Sequence, residues 1–189
     1  MRRIMAGEDR IRYLADAIRY HREQYYNHAA PEISDSEFDA LWDELTRLDP
    51  SNEVLHEVGP EPLPGTVKVE HMFPMRSLDK GTSDQDIVHF VTQSTFGGKQ
   101  YLAQPKLDGS ALSLEYVAGN LHRAAPRGSG ERGEDVTLNA KQVANVPLRL
   151  NESVDFHVRV EVVINMEFFE QKYSTVYPNT RNLCSGALR

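Results

Sequence analysis

Lys106-Leu107-Asp108-Gly109 is where chemistry is easiest to see in this chain. On extended backbone a lysine and an aspartate two positions apart project to the same side. A lysine is a nucleophile only when neutral, so it needs surroundings that lower its pKa or a group that takes its proton. The aspartate could orient that amine or help hold a metal ion, and it could equally cap a turn. Taken alone, the string also fits an ordinary exposed turn lysine. Three further features stand out. Arg127 sits in Arg127-Gly128-Ser129-Gly130, where a surface hairpin arginine is the ordinary outcome. Arg159 and Glu161 share one face of an alternating segment, where a solvated ion pair is the common outcome. Beyond Glu170 there is no acid, only Lys172, Arg181 and Arg189, so phosphate contacts are expected to concentrate there.

These groups need elements to position them. Ile11, Leu14, Ile18 and Tyr25 form one apolar stripe, which predicts a helix of roughly four turns stopped at Ala29-Ala30-Pro31. Ser34 followed by Glu37 is a capping-box signature, predicting a second helix that turns Phe38, Leu41, Trp42, Leu45 and Leu48 inward and ends at Asp49-Pro50. Residues 51–80 contain Gly59, Pro60, Pro62, Pro64, Gly65 and Pro74, which predicts a connector and a domain boundary. A short helix capped by Ser83 is expected over 83–93. Beyond Gly97-Gly98 the period changes to two: Leu112, Leu114 and Tyr116 lead through Ala118-Gly119-Asn120 into Leu121, a hairpin pattern. Val158, Val160 and Val162 alternate with charges, a strand with one apolar face. Helices followed by strands indicate an α+β chain in two segregated parts.

Composition excludes several classes. The 189 residues are 40% hydrophobic and 26% charged, an ordinary globular balance. No apolar run approaches the roughly 20 residues of a membrane span. Glu8 and Asp9 follow Met1-Arg2-Arg3-Ile4 where a secretory signal would be apolar. Cys184 is the single cysteine, which excludes an internal disulfide and a cysteine-rich zinc cluster and fits a reducing cytoplasm. The net charge is −7, with −6 of it in residues 1–80. Such a chain does not coat nucleic acid electrostatically.

The motifs as an ordered set carry more than any one of them. Tyr25-Tyr26, then Pro31-Glu32-Ile33-Ser34-Asp35-Ser36-Glu37-Phe38-Asp39, then His71-x-x-Pro74-Met75-x-Ser77-Leu78-Asp79, are followed by Lys106-Leu107-Asp108-Gly109. Arg127-Gly128-Ser129-Gly130, Gly133-Glu134-Asp135-Val136-Thr137-x-Asn139, Arg159-x-Glu161, and Asn179-Thr180-Arg181-Asn182 running to Gly186-Ala187-Leu188-Arg189 complete the series. Across essentially the whole chain this resembles the bacterial NAD⁺-dependent DNA ligases. The resemblance implies a small helical nicotinamide-binding domain with its linker over 1–65. Over 66–189 it implies the N-terminal part of an antiparallel, β-rich nucleotidyltransferase (ATP-grasp-like) domain, incomplete at its C-terminal end.

It also implies a reaction. In that family a lysine attacks the α-phosphate of NAD⁺, expels nicotinamide mononucleotide and holds AMP, which passes to the 5′-phosphate of nicked DNA before the nick is sealed in replication and repair. Lys106 matches the nucleophile and Asp108 its partner. Gln104, Arg127, Glu161, Ser77 and Leu78 match nucleotide contacts. Tyr25, Tyr26, Asp35, Phe38 and Asp39 match the nicotinamide site, and Arg181 and Arg189 match arginines that contact phosphate. The cofactors implied are NAD⁺ and Mg²⁺. The implied partners are nicked double-stranded DNA and a C-terminal continuation or second polypeptide carrying the remaining motifs and an OB-fold, in a bacterial cytoplasm or a host cytoplasm if phage-encoded, with no membrane.

Several positions depart from the family pattern. Gln104 stands where the family has glutamate, although an amide oxygen still accepts from the adenine amine. Ser129 replaces the aspartate of R-G-D-G, Val160 the glycine of R-G-E, Thr180 the proline of N-P-R-N, and Phe38 a tyrosine. Cys184 reads as packing. Two other functions compete: a non-catalytic NAD- or partner-binding subunit of a split ligase, and another lysyl-nucleotidylate enzyme such as an RNA ligase or capping enzyme. The latter gives no reason for the Tyr25–Asp39 set.

Overall fold

The computed structural model describes residues 7–28, 30–57, 59, 65–78, 81–93 and 100–189. Ala29, Pro60, Pro62, Pro64, Asp79 and Gly97-Gly98 lie outside the described residues. The chain is α+β, as its pattern predicts.

The first helix, α1 (Gly7–Tyr26), starts one turn earlier than the apolar stripe suggested, with Glu8 and Asp9 placed favourably against its N-terminal dipole. Helix α2 (Asp35–Leu48) carries the expected capping box: Ser34 Oγ accepts from the Glu37 amide, and the Glu37 carboxylate accepts from the Ser34 amide at 2.8 Å. Leu14, Ile18 and Leu45 are buried with Val54 of the 3₁₀ turn Glu53–Leu55, and Ile11, Phe38, Leu41 and Trp42 pack around them. Each fully buried aliphatic side chain here stabilises by about 2 kcal/mol. Leu48 corrects the inward stripe. It closes the last turn and is 44% exposed, beyond the reach of this small core.

The connector is more ordered than its prolines suggested. Strand β1 (Lys68–Glu70) pairs antiparallel with β4 (Arg132–Glu134). Helix α3 (Asp84–Gln93) has its Ser83 cap, whose hydroxyl accepts from the Asp86 amide at 3.3 Å. The main sheet has the order β3-β2-β5, all antiparallel, with β2 (Ser110–Val117) in the centre, β3 (Asn120–Pro126) on one side and β5 (Phe156–Val162) on the other. The predicted hairpin joins β2 to β3, with Ala118 and Gly119 both at positive φ. Leu112, Leu114 and Tyr116 face a core completed by Leu121, Ala124 and Val136, and by Ala140 of the short helix α4 (Thr137–Ala140), with Val158, Val160 and Val162 packed against it. Helix α5 (Met166–Lys172) leads to α6 (Thr180–Leu188), whose Leu188 enters the same core.

The opposite face of β2 is polar and also covered. Ser113 and Glu115 are buried there, Glu115 paired to Arg123 at 2.7 Å. The strap after β1 lies over this face. His71 donates from Nε2 to the Arg127 carbonyl at 3.1 Å, and Arg159 donates to the Pro74 carbonyl at 2.8 Å. Burial holds the His71 imidazole below its ordinary value of 6.5, and His157, which bonds Ser113 at 2.8 Å, shifts the same way for the same reason. A histidine lowered in the fold takes its proton more readily when unfolded, so its contribution is complete above about pH 6.5 and is lost as the pH falls toward the folded value. The melting temperature should therefore drop between about pH 7.5 and about pH 5.5, and His71→Gln should melt lower at the upper pH with a smaller acid-induced drop. An unchanged drop in that variant would show that His71 does not drive it.

Candidate nucleotidyl-transfer site

Residues 100–109 run without regular structure into β2, and Gly109 is the join. A Cβ at Gly109 would sit 2.1 Å from the Val162 carbonyl oxygen, so only glycine lets this segment come so close to the end of β5. There the Gly109 amide donates to Glu161 Oε1 at 3.0 Å. The carboxylate of the alternating strand thus fixes the segment that carries Lys106, and Arg159, its neighbour on the same face, is engaged by the strap. Gly109→Ala should lower stability by about 2 kcal/mol in urea unfolding through forced separation of the two strands. Wild-type stability in that variant would mean the approach is not held.

Three arginines arrive from three places. Arg127 projects from the turn between β3 and β4, where Gly128 takes φ 53° and a Cβ would meet the Arg132 carbonyl oxygen at 2.1 Å. Arg181 lies in the first turn of α6, whose cap Asn179 accepts from the Asn182 amide at 2.8 Å. Arg189 follows the last turn of the same helix, and the Leu188 carbonyl just before it is held by Asn139 at 3.1 Å. All three reach the end of α1. Arg127 lies 5.6 Å from the Tyr26 ring centroid and donates to the Tyr26 hydroxyl at 3.3 Å. Arg181 lies 5.3 Å over Tyr25 and 5.8 Å over Tyr26, and it pairs with Asp108 at 2.8 Å. Arg189 reaches the Tyr26 and Asn27 carbonyls.

Between them is a cavity of about 120 Å³ whose lining includes Lys106, Arg127, Glu161, Arg181, Arg189 and Tyr26. Four cations and one carboxylate line this small opening, Arg181 being paired with Asp108 and Arg189 with Glu134, so positive charge is locally in excess in a chain of net charge −7. Burial would lower the Arg181 pKa, but Tyr25, Tyr26, Asp108 and Glu161 outweigh it, and the guanidinium stays charged. Burial pushes the Tyr25 phenol up, so it remains a neutral donor and stacking face. Burial likewise raises the Cys184 thiol, consistent with its reading as packing.

The other expected site residues fall outside the lining. Asp108 touches the site through Arg181, and Tyr25 lies beneath the same guanidinium. Asp35 and Asp39 are exposed in the first turns of α2, while Phe38 is half-buried against Trp42. Ser77, Leu78 and Gln104 are exposed, Leu78 at 80%. Sequence reading missed Asn27 and Ser185 in the lining, and Glu134, which anchors Arg189 at 2.9 Å. Glu134 was visible within Gly133-Glu134-Asp135, but nothing local tied it to an arginine 55 residues away.

A central antiparallel sheet that presents a lysine to a ring of arginines, fronted by a helical unit, defines a nucleotidyltransferase-type α+β protein. Residues 65–189 match the family model of the NAD-dependent DNA ligase adenylation domain, and residues 5–57 match that of the DNA ligase-like, N-terminal NAD⁺-binding domain. The chain belongs to the NAD-dependent DNA ligase family. It is 36% identical over 200 aligned positions to a DNA ligase of Natranaerobius thermophilus, covering 96% of the chain, and 37% identical over 194 positions to one of Treponema denticola, covering 98%. A DNA ligase of Halothermothrix orenii is 38% identical over 200 positions, covering 96%. The chain spans about 30% of the length of these relatives. Among the described residues no helix is long and apolar enough to cross a membrane.

Proposed function

We propose that this chain supplies the NAD⁺-binding and lysine-adenylating part of a DNA ligase. The observation that carries the reading is Lys106 lining one cavity with Arg127, Arg181 and Glu161 beneath Tyr26 of the helical unit. In the first step Lys106 Nζ, as the neutral amine, forms a bond to the α-phosphorus of NAD⁺ as the bond to the bridging oxygen breaks, and the proton the nitrogen sheds passes to water. Nicotinamide mononucleotide leaves with that oxygen, and AMP stays on the lysine as a phosphoramidate. Arg127 and Arg181 offset the charge that builds on the phosphate oxygens. Glu161 spends one oxygen on Gly109, and its second accepts from a ribose hydroxyl. Gln104 accepts from the adenine amine through its amide oxygen, and the backbone at Ser77 and Leu78 borders the nucleotide.

Tyr25, Tyr26, Asp35, Phe38 and Asp39 receive the nicotinamide end, Tyr25 and Tyr26 by stacking and the two aspartates by accepting from its amide or ribose. A magnesium ion would take Asp108, phosphate oxygens and water, because Mg²⁺ keeps much of its water and uses few protein carboxylates. AMP then passes to the 5′-phosphate of nicked DNA, with Arg181 beside the phosphate, and the part of the ligase that this chain does not cover, about 70% of the relatives' length, grips the duplex. The working compartment is the cytoplasm.

The test is the source of the adenylate. Joined to the remainder of the ligase, the chain should become labelled from adenylate-labelled NAD⁺ and not from labelled ATP. Labelling from ATP alone would overturn the nicotinamide assignment and return the chain to the RNA ligase and capping group.

A further inference from the structure

At the C-terminal end of α1 the Asn27 and His28 amides meet the Glu23 carbonyl and the Ala30 amide meets that of Gln24, but the last turn holds no basic residue to face the negative end of the helix dipole. One comes from the other unit. Arg189 NH1 donates to the Tyr26 carbonyl at 2.8 Å and to the Asn27 carbonyl at 3.1 Å, and NH2 donates to Asn27 Oδ1 at 3.1 Å. Nε is directed the opposite way, to Glu134 Oε2 at 2.9 Å. Glu134 is 5% exposed, on β4 of the sheet unit, and its other oxygen, Oε1, is buried without a hydrogen-bond partner. A carboxylate held so far from water is costly unless paired. Arg189 is therefore fixed from behind by a buried anion and from the front by a helix end.

The geometry points to Glu134 and Arg189 as a clamp between the two units: Glu134 orients Arg189, and Arg189 caps α1 from outside, setting where Tyr25 and Tyr26 stand relative to Lys106. This gives Arg189 a different task from the phosphate contact its motif implies. Glu134 lies outside the cavity lining and is a positioning residue. The clamp rests on the reading above, in which the helical unit receives the nicotinamide end and the sheet unit the adenylate. Its consequence is selective. Loosening it should weaken a ligand that bridges both units and spare one that occupies the sheet unit alone.

The probes are NAD⁺ and AMP, titrated calorimetrically into the whole chain and into Glu134→Gln. The clamp predicts a loss of about tenfold in NAD⁺ affinity, the scale of one charge-assisted contact, with AMP affinity kept within about twofold. Glu134→Asp, which keeps the charge on a shorter arm, should recover part of the loss, and far-UV circular dichroism checks the fold of both. Equal loss of NAD⁺ and AMP would make Glu134 a support of the cavity as a whole and overturn the clamp. Unchanged NAD⁺ binding in a folded Glu134→Gln would overturn it as well. A wild-type chain that binds AMP but gains nothing from the nicotinamide half would instead defeat the proposed function, and the clamp with it.

Discussion

Lys106→Arg should leave no detectable adenylate on the protein. Arginine keeps the positive charge and much of the reach, so binding through electrostatics survives, but a guanidinium is never neutral at working pH and cannot attack phosphorus. The predicted pattern is therefore a chain, joined to the remainder of the ligase, that retains NAD⁺ affinity within a few-fold and loses adduct formation by at least about 10³-fold. Folding should be unaffected, because Lys106 is exposed on irregular backbone. Sealing of nicked DNA that already carries a 5′-adenylate should fall less than adduct formation does. Undiminished adduct in the variant would place the nucleophile elsewhere.

The second large effect separates the two units by chemistry. Substituting Asp35 and Asp39 together by alanine should reduce adenylation from NAD⁺ by about 10²-fold or more, because the two proposed acceptors for the nicotinamide end are lost. Both side chains are exposed in the first turns of α2, away from the Leu14–Ile18–Leu45 core, so the core stays intact and stability should fall by no more than about 2 kcal/mol. Sealing of pre-adenylated nicks should persist, since that step involves no nicotinamide. Equal loss in both assays would mean that these helices support the fold and do not recognise the leaving group.

Much of the architecture could be read in advance, where a local rule applied. The capping box at Ser34–Glu37 and the apolar stripe of α1 are contained within a few turns, and so is the turn chemistry of the Ala118-Gly119 hairpin. Strands β1 and β4 escaped notice because three residues are too few to show alternation, and they are defined only by pairing with each other. The buried second face of β2 escaped for a related reason. Ser113 and Glu115 read as the solvent side of a half-exposed strand until the 71–75 strap covers them. The site divides in the same way. Lys106, Arg127, Glu161, Arg181 and Tyr26 could each be picked out by residue type and motif, whereas their convergence depends on contacts such as Arg127 to Tyr26, 101 residues apart in sequence. Glu134 and Asn27 both bond Arg189, and nothing within either segment announces it.

Acceptance of AMP from NAD⁺ by Lys106, as proposed, would change the mass of the protein. Its most direct test is the intact mass of the chain, joined to the rest of the ligase and incubated with NAD⁺ and Mg²⁺, followed by mapping of the modified peptide. A gain of one adenylate is expected, carried on the peptide containing Lys106 and absent from Lys106→Ala, with release of one nicotinamide mononucleotide per adduct. An adduct of the same size in Lys106→Ala, or one mapped to any other residue, would contradict it.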